Sequence, residues 1–483
     1  MGIIMNRNRT KLFFGIAMAI SGLFASQTFA ASACTSTACD PAAAAAACDP
    51  AVSACEPAPV ACDPAPADCA APASCSPAAP GCGSCPACGD AGCAGLCNSC
   101  VPHGCADIFF GKLKKSFCEG VCWSGYINAG YDTNFAGDRS NGLVDAWNNT
   151  TPAFNAVYIA AQKKAFTAGC GYDFGFGVDF MFGEDSRIFR SARGLDENWY
   201  TGHMYNPLTQ AYDRPSYGFA MPQLYLEAAI NDWSVKIGHF YGLLGYEGAT
   251  APSRFFYTKG LTCTASPVSQ TGVLASYNGF QNLDLTLGWV NGWGNGFDNS
   301  ELGEGMVTGA FTYHMNNCAS IKYAFLAGTA DMAGVFGYWG PYAWAPGTKG
   351  VGGAHSVVLD LHLTRNLESV TTINYVDFGL ADNTEQGTRA LILGEHLYYT
   401  INCCWKAGFR AEWMKSSEYA SGDSIDTEVT SLALGLNWHP AGNQNLYVRP
   451  ELRYDRATGA EKDLLLNGRV DQFTIGFDVM MTF

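Results

Sequence analysis

The last segment of the chain constrains the fold most. Phe473, Ile475, Phe477, Val479, Met481 and Phe483 fall on one side of a period-two pattern. Gln472, Thr474, Gly476, Asp478 and Thr482 fall on the other, where Met480 is the one apolar residue. Side chains of a strand alternate between its two faces, so this ribbon has an apolar medium on one side and a polar one on the other. The preceding segment repeats the pattern. Leu446, Val448, Pro450, Leu452 and Tyr454 alternate with Tyr447, Arg449, Glu451, Arg453 and Asp455. Four charged residues on one face are hard to place in a packed core. A water-filled lumen accommodates them.

The alternation recurs upstream. Leu432, Leu434, Leu436 and Trp438 oppose Ser431, Ala433, Gly435 and Asn437, and Trp405, Phe409 and Trp413 oppose Lys406, Gly408, Arg410 and Glu412. Sixteen segments read as strands, near 121–131, 153–163, 166–180, 218–230, 233–241, 268–278, 282–291, 305–315, 318–330, 354–364, 367–378, 388–399, 403–414, 427–438, 445–455 and 470–483. Short turns (Asn231-Asp232, Asn316-Asn317, Arg365-Asn366) alternate with long connections near 132–152, 181–217, 242–267, 292–304, 331–353 and 456–469. An even strand number with short turns at one end and long loops at the other is the layout of an outer-membrane barrel. The expected fold is therefore all-β: a transmembrane antiparallel β-barrel of about 16 strands. Only 15% of the residues are charged, against roughly 25% in soluble domains. That fits a wall half in contact with lipid.

No segment after the N-terminus approaches the 18 apolar residues of a membrane helix. The N-terminus itself reads as a signal peptide over 1–30: Arg7, Arg9 and Lys11, an apolar run from Leu12 to Leu23, and Thr28-Phe29-Ala30 before Ala31. Residues 31–105 form a low-complexity Ala/Pro/Cys arm with 14 of the 21 cysteines and almost no large apolar side chains, expected to be disordered. Behind an export signal these thiols point to an oxidising compartment and to disulfides. The pairs Cys85/Cys88 and Cys97/Cys100 also leave open a metal, or no defined state. A short amphipathic lead-in spans 106–117, and the barrel spans 118–483. Cys118, Cys122, Cys318, Cys403 and Cys404 all map to the short-turn rim, on the side of the arm.

One hairpin fixes its own register. With a two-residue turn at Asn231-Asp232, paired positions sum to 463. Leu226 then faces Ile237 on the lipid side, and Glu227 faces Lys236 in the lumen. A slip by one residue would put both charges in lipid, at up to about 2–4 kcal/mol for the lysine.

Nothing reads as catalytic: there is no nucleophile elbow, no HExxH and no phosphate-binding glycine loop, so the chain is expected to be no enzyme and to hold no cofactor or metal. The net charge of −15 argues against a nucleic-acid partner and is compatible with a lumen that weakly favours cations. The loop 242–267 is the candidate constriction, because a barrel of this size leaves an open channel unless a loop folds inward. Glu247, Arg254 and Lys259 would place both signs of charge across it. Glu227, Lys236, Arg410, Glu412, Arg449, Glu451, Arg453 and Asp455 would line the wall. The loop acting only as a surface cap stays open.

The stretch QLYLEAAINDWSVKIGHFYGLLGYEGATAPSRFFYTKG (Gln223–Gly260), the stretch NLYVRPELRYD (Asn445–Asp455) and the terminal Phe483 resemble the type-2 β-barrel porins related to OmpL. The resemblance covers about 118–483. It implies an outer-membrane channel for passive diffusion of small hydrophilic solutes or ions, and makes Phe483 part of the signal read by the barrel-insertion machinery. The arm at 31–105 lies outside it. Expected partners are outer-membrane lipid, the insertion machinery and small solutes. A homotrimer and disulfide crosslinks through the arm are left open. The other reading is a structural envelope protein whose barrel, with its N-terminal arm in the periplasm, anchors a crosslinked arm. Crosslinks between chains would appear on non-reducing gels of isolated envelopes as bands above the monomer that collapse with reductant.

Overall fold

The protein is described in a computed structural model, over residues 121–135, 152–167, 169, 171–191, 194–197, 199–201, 217–297, 305–331, 348–382, 385–420, 423–459 and 470–483. The signal peptide, the Cys-rich arm, the lead-in and Cys118 lie outside these residues.

Sixteen long strands follow one another: β1 (Cys122–Asn134), β2 (Ala153–Lys163), β3 (Tyr172–Gly183), β4 (Tyr217–Ile230), β5 (Trp233–Tyr241), β6 (Ser269–Tyr277), β7 (Leu283–Val290) and β8 (Gly305–Asn316). Then come β9 (Ala319–Asp331), β10 (Lys349–His362), β11 (Leu367–Leu380), β12 (Gln386–Asn402), β13 (Trp405–Ala420), β14 (Asp423–Trp438), β15 (Leu446–Gly459) and β16 (Asp471–Thr482). Each pairs antiparallel with the next. β1 pairs with β16 from Tyr126↔Thr482 to Asn134↔Thr474, which closes the cylinder. A closed barrel has no unpaired edge, the condition for strands in lipid.

The seam is finished by the last residue. Phe483 donates its N–H to the Gly125 carbonyl (2.9 Å), and Gly125 donates to the Phe483 carbonyl (2.8 Å). A Cβ on Gly125 would lie 2.5 Å from Cζ of the Phe483 ring and 2.5 Å from the Tyr158 carbonyl oxygen, so the position takes only glycine.

The β4–β5 hairpin has the register its turn dictates: Leu226↔Ile237, Glu227↔Lys236 and Ile230↔Trp233, with Asn231 at φ 51. Its outward residues are bare, Leu226 at 66% and Ile230 at 62%, while Glu227 is at 8%. Large apolar residues are exposed on this outer face all round the wall, from Ile127 on β1 to Met481 on β16. Such a surface is stable only against hydrocarbon.

The structure departs from the sequence reading at three places. β3 begins at Tyr172 rather than at 166, because Gly169 (φ +82) and Gly171 (φ +84) turn the chain there. A two-residue strand, Tyr200–Thr201, pairs with the start of β4. At the long-loop end two connections are short, 381–385 and 421–422, because β12, β13 and β14 run further than the alternation suggested.

A Leu226→Arg substitution puts a charge on the lipid face and lowers folding stability in vesicles by about 2–4 kcal/mol if Leu226 sits near the midplane. Urea titration of vesicle-folded protein measures this. Unchanged stability would remove Leu226 from the hydrocarbon.

Candidate functional site

The connection between β5 and β6, residues 242–268, enters the barrel. It contains two short 3-10 turns, Ala251–Ser253 and Leu261–Ala265. A segment with so little internal hydrogen bonding must find partners for its backbone. Here the inner wall supplies them. Gly245 N–H donates to Ser356 Oγ on β10 (3.1 Å), and Asn374 Nδ2 on β11 donates to the Thr262 carbonyl (3.0 Å). Glu412 on β13 accepts from the N–H groups of Leu261 (2.9 Å) and Thr262 (3.1 Å). Glu451 on β15 accepts from Thr258 N–H (2.9 Å) and from the Thr258 hydroxyl.

Three arginines complete the clamp. Arg410 on β13 donates to Glu247 Oε1 (2.7 Å) and to the Thr258 carbonyl (3.0 Å). Its Nε lies 3.3 Å from Glu412 Oε2 without hydrogen-bond alignment, and its Nη2 lies 3.9 Å from Glu451. Arg449 on β15 pairs through Nε with Asp478 on β16 (2.8 Å), and its Nη1 donates to the carbonyls of Ala251 (2.9 Å) and Arg254 (2.8 Å). Arg453 pairs with Asp455 (2.9 Å) and donates to the Lys259 carbonyl (2.6 Å). Glu247 also accepts from Gly260 N–H (2.8 Å) and from the Cys263 thiol (3.0 Å). Burial pushes the Glu247 carboxyl up, but Arg410 beside it more than offsets this and holds it below the usual carboxylate range.

Steric fit adds to the polar clamp. Phe255 and Phe256 sit over wall glycines: a Cβ on Gly408 would come 2.3 Å from Phe255, and one on Gly435 would come 3.0 Å from Phe256. Tyr257 covers Gly130 and Gly476 in the same way, at 2.7 and 3.0 Å. The Arg410 guanidinium stacks 4.6 Å from the Phe256 ring centroid. The loop therefore touches β1 and β10 to β16, and crosses the lumen.

The residues singled out from the sequence are sorted by this loop. Arg410, Glu412, Arg449, Glu451, Arg453 and Asp455 do point inward, but they are 0–3% exposed. They do not face open water as the alternation suggested, because the loop covers them and uses them as its anchors. Glu247 is turned to the wall, while Arg254 and Lys259 stay inside the barrel at 7% and 8% exposure. Glu227 and Lys236 are opposite each other but bond elsewhere. Glu227 accepts from Ala165 N–H (3.1 Å), and the Lys236 ammonium sits 4.1 Å from the Tyr225 ring centroid. Towards the long-loop end the inward positions are apolar and covered, among them Leu326, Phe378, Ile392, Met414 and Val429.

The wall positions Asp478, Asn374, Ser356, Gly408 and Gly435, which support the loop, were not among the expected site residues. Their inward placement was readable from alternation for Asp478, Gly408 and Gly435, but no local pattern says which loop they receive.

A family model described as "Putative beta-barrel porin-2, OmpL-like" matches residues 120–483. The chain belongs to this family of porins. Two structures of the outer-membrane protein OmpT of Vibrio cholerae are similar in fold. The in-vitro folded form has a TM-score of 0.51 at 10% identity over 75% of this chain and 97% of that one. The outer-membrane expressed form has a TM-score of 0.50 at 11% identity, with the same coverage. An anion-selective porin from Comamonas acidovorans has a TM-score of 0.47 at 10% identity, over 75% of this chain and 99% of that one. No curated protein sequence matches the chain.

An Arg410→Met substitution leaves Glu247, Glu412 and Glu451 buried without their shared cation, a loss of about 3–5 kcal/mol. The loop is expected to detach, with faster proteolysis between Gly242 and Val268 and a larger single-channel conductance. A conductance equal to that of the parent protein would show that Arg410 does not hold the constriction.

Proposed function

We propose that this porin is an outer-membrane channel for passive diffusion of small hydrophilic solutes, with the 242–268 loop as its constriction. The barrel would have its short turns in the periplasm and its long loops outside, as bacterial outer-membrane barrels do. The Cys-rich arm would then start on the periplasmic side. One observation carries the reading. A loop anchored to the inner wall by a buried ionic network would narrow the channel without depending on solvent-exposed contacts. A cap on the rim would not need Arg410, Glu412 and Glu451 on its underside.

The chemistry of the filter follows from that. The barrel wall excludes lipid, and the loop sets the width. Charges held in a narrow, partly desolvated passage act on solutes more strongly than they would in bulk water. Large solutes would be refused by size.

Purified protein in planar bilayers tests the proposal. Stable current steps are expected, and deleting residues 246–264 is expected to enlarge them. A sealed bilayer from correctly folded barrels would overturn it and favour the anchoring role.

A further inference from the structure

The constriction contains acids and bases, but they are not equivalent. Five carboxylates around the loop are already engaged. Glu247 is held by Arg410, Gly260 and Cys263, and Glu412 by Leu261, Thr262 and Arg410. Glu451 is held by Thr258, Asp455 by Arg453 and Gln472, and Asp478 by Arg449 and Asn128. Arg254 differs. It is 7% exposed, makes no ion pair with an acid of the described residues, and its Nε is buried without a hydrogen-bond partner there. Its backbone is fixed, since the Arg254 carbonyl accepts from Arg449 and its N–H bonds back to Ala251. The Lys259 ammonium is 5.8 Å from the Phe189 ring centroid.

The loop thus gives Glu247 to the wall, where Arg410 neutralises it, and leaves the Arg254 guanidinium enclosed without a bonded acid among the described residues. An enclosed guanidinium without a counter-ion is costly, and its planar fork matches a carboxylate or phosphate. We infer that Arg254 is a binding point for small oxyanions, and that the channel prefers anions although the chain carries −15 overall. Net charge counts every acid on the surface and loops, whereas selectivity is set by charges in the narrowest, least hydrated part.

This rests on the channel reading above, and one experiment separates the two. Reversal potentials of the full-length protein are measured in planar bilayers under a potassium chloride gradient, and the current is then titrated with inorganic phosphate. The parent protein is expected to favour chloride and to be blocked by phosphate. Arg254→Gln should bring the chloride-to-potassium permeability ratio to one or below and abolish the block. Arg254→Lys should keep the chloride preference but weaken phosphate block several-fold, because the fork is lost. No current steps from the parent protein would sink the channel reading itself. Current steps with potassium preferred, or phosphate block equal in the parent protein and Arg254→Lys, would overturn this inference alone. Where Arg254→Gln does not insert, those two measurements still decide.

Discussion

Burying arginine is what the interior of this barrel depends on. Arg410, Arg449 and Arg453 are almost fully excluded from solvent, and each is tolerable only because carboxylates and loop carbonyls surround it. The relation is mutual. The loop backbone between Ala251 and Thr262 would leave polar groups unsatisfied without the wall, and the wall charges would be unpaired without the loop. Wall and loop are therefore one structure. Removing either half costs more than the contacts it contributes.

Closure of the cylinder makes this possible. With β1 joined to β16 and Phe483 bonded to Gly125, the wall is a continuous surface whose inward positions have a fixed depth and angle. Arg449 and Asp478, on adjacent strands, then meet at a fixed point beneath Ala251, and Gly408 and Gly435 form a shelf for Phe255 and Phe256. Rigid positions on strands hold the loop better than a flexible rim could. The loop inherits the stiffness of the barrel.

Overall charge is a poor guide to the charge that a lumen presents. Glu247 and Arg254 are seven positions apart in one loop, yet one is consumed by the wall and the other is not. Local pairing separates them, and it is invisible in composition.

Alternation by itself settled much of this protein. Side chains of a strand alternate between faces, so a lipid-facing and an inward-facing set could be read strand by strand, as in Phe473 to Phe483 and in the Glu227–Lys236 register set by a two-residue turn. Those are local properties, and local sequence carries them. What only the tertiary structure decided is which inward residues see water. That depends on where a 27-residue loop between Tyr241 and Ser269 comes to rest, and on contacts such as Glu451 with Thr258 that join positions far apart in the chain. No period in the sequence encodes that distance. It follows from closing sixteen strands into a cylinder and filling what is left inside.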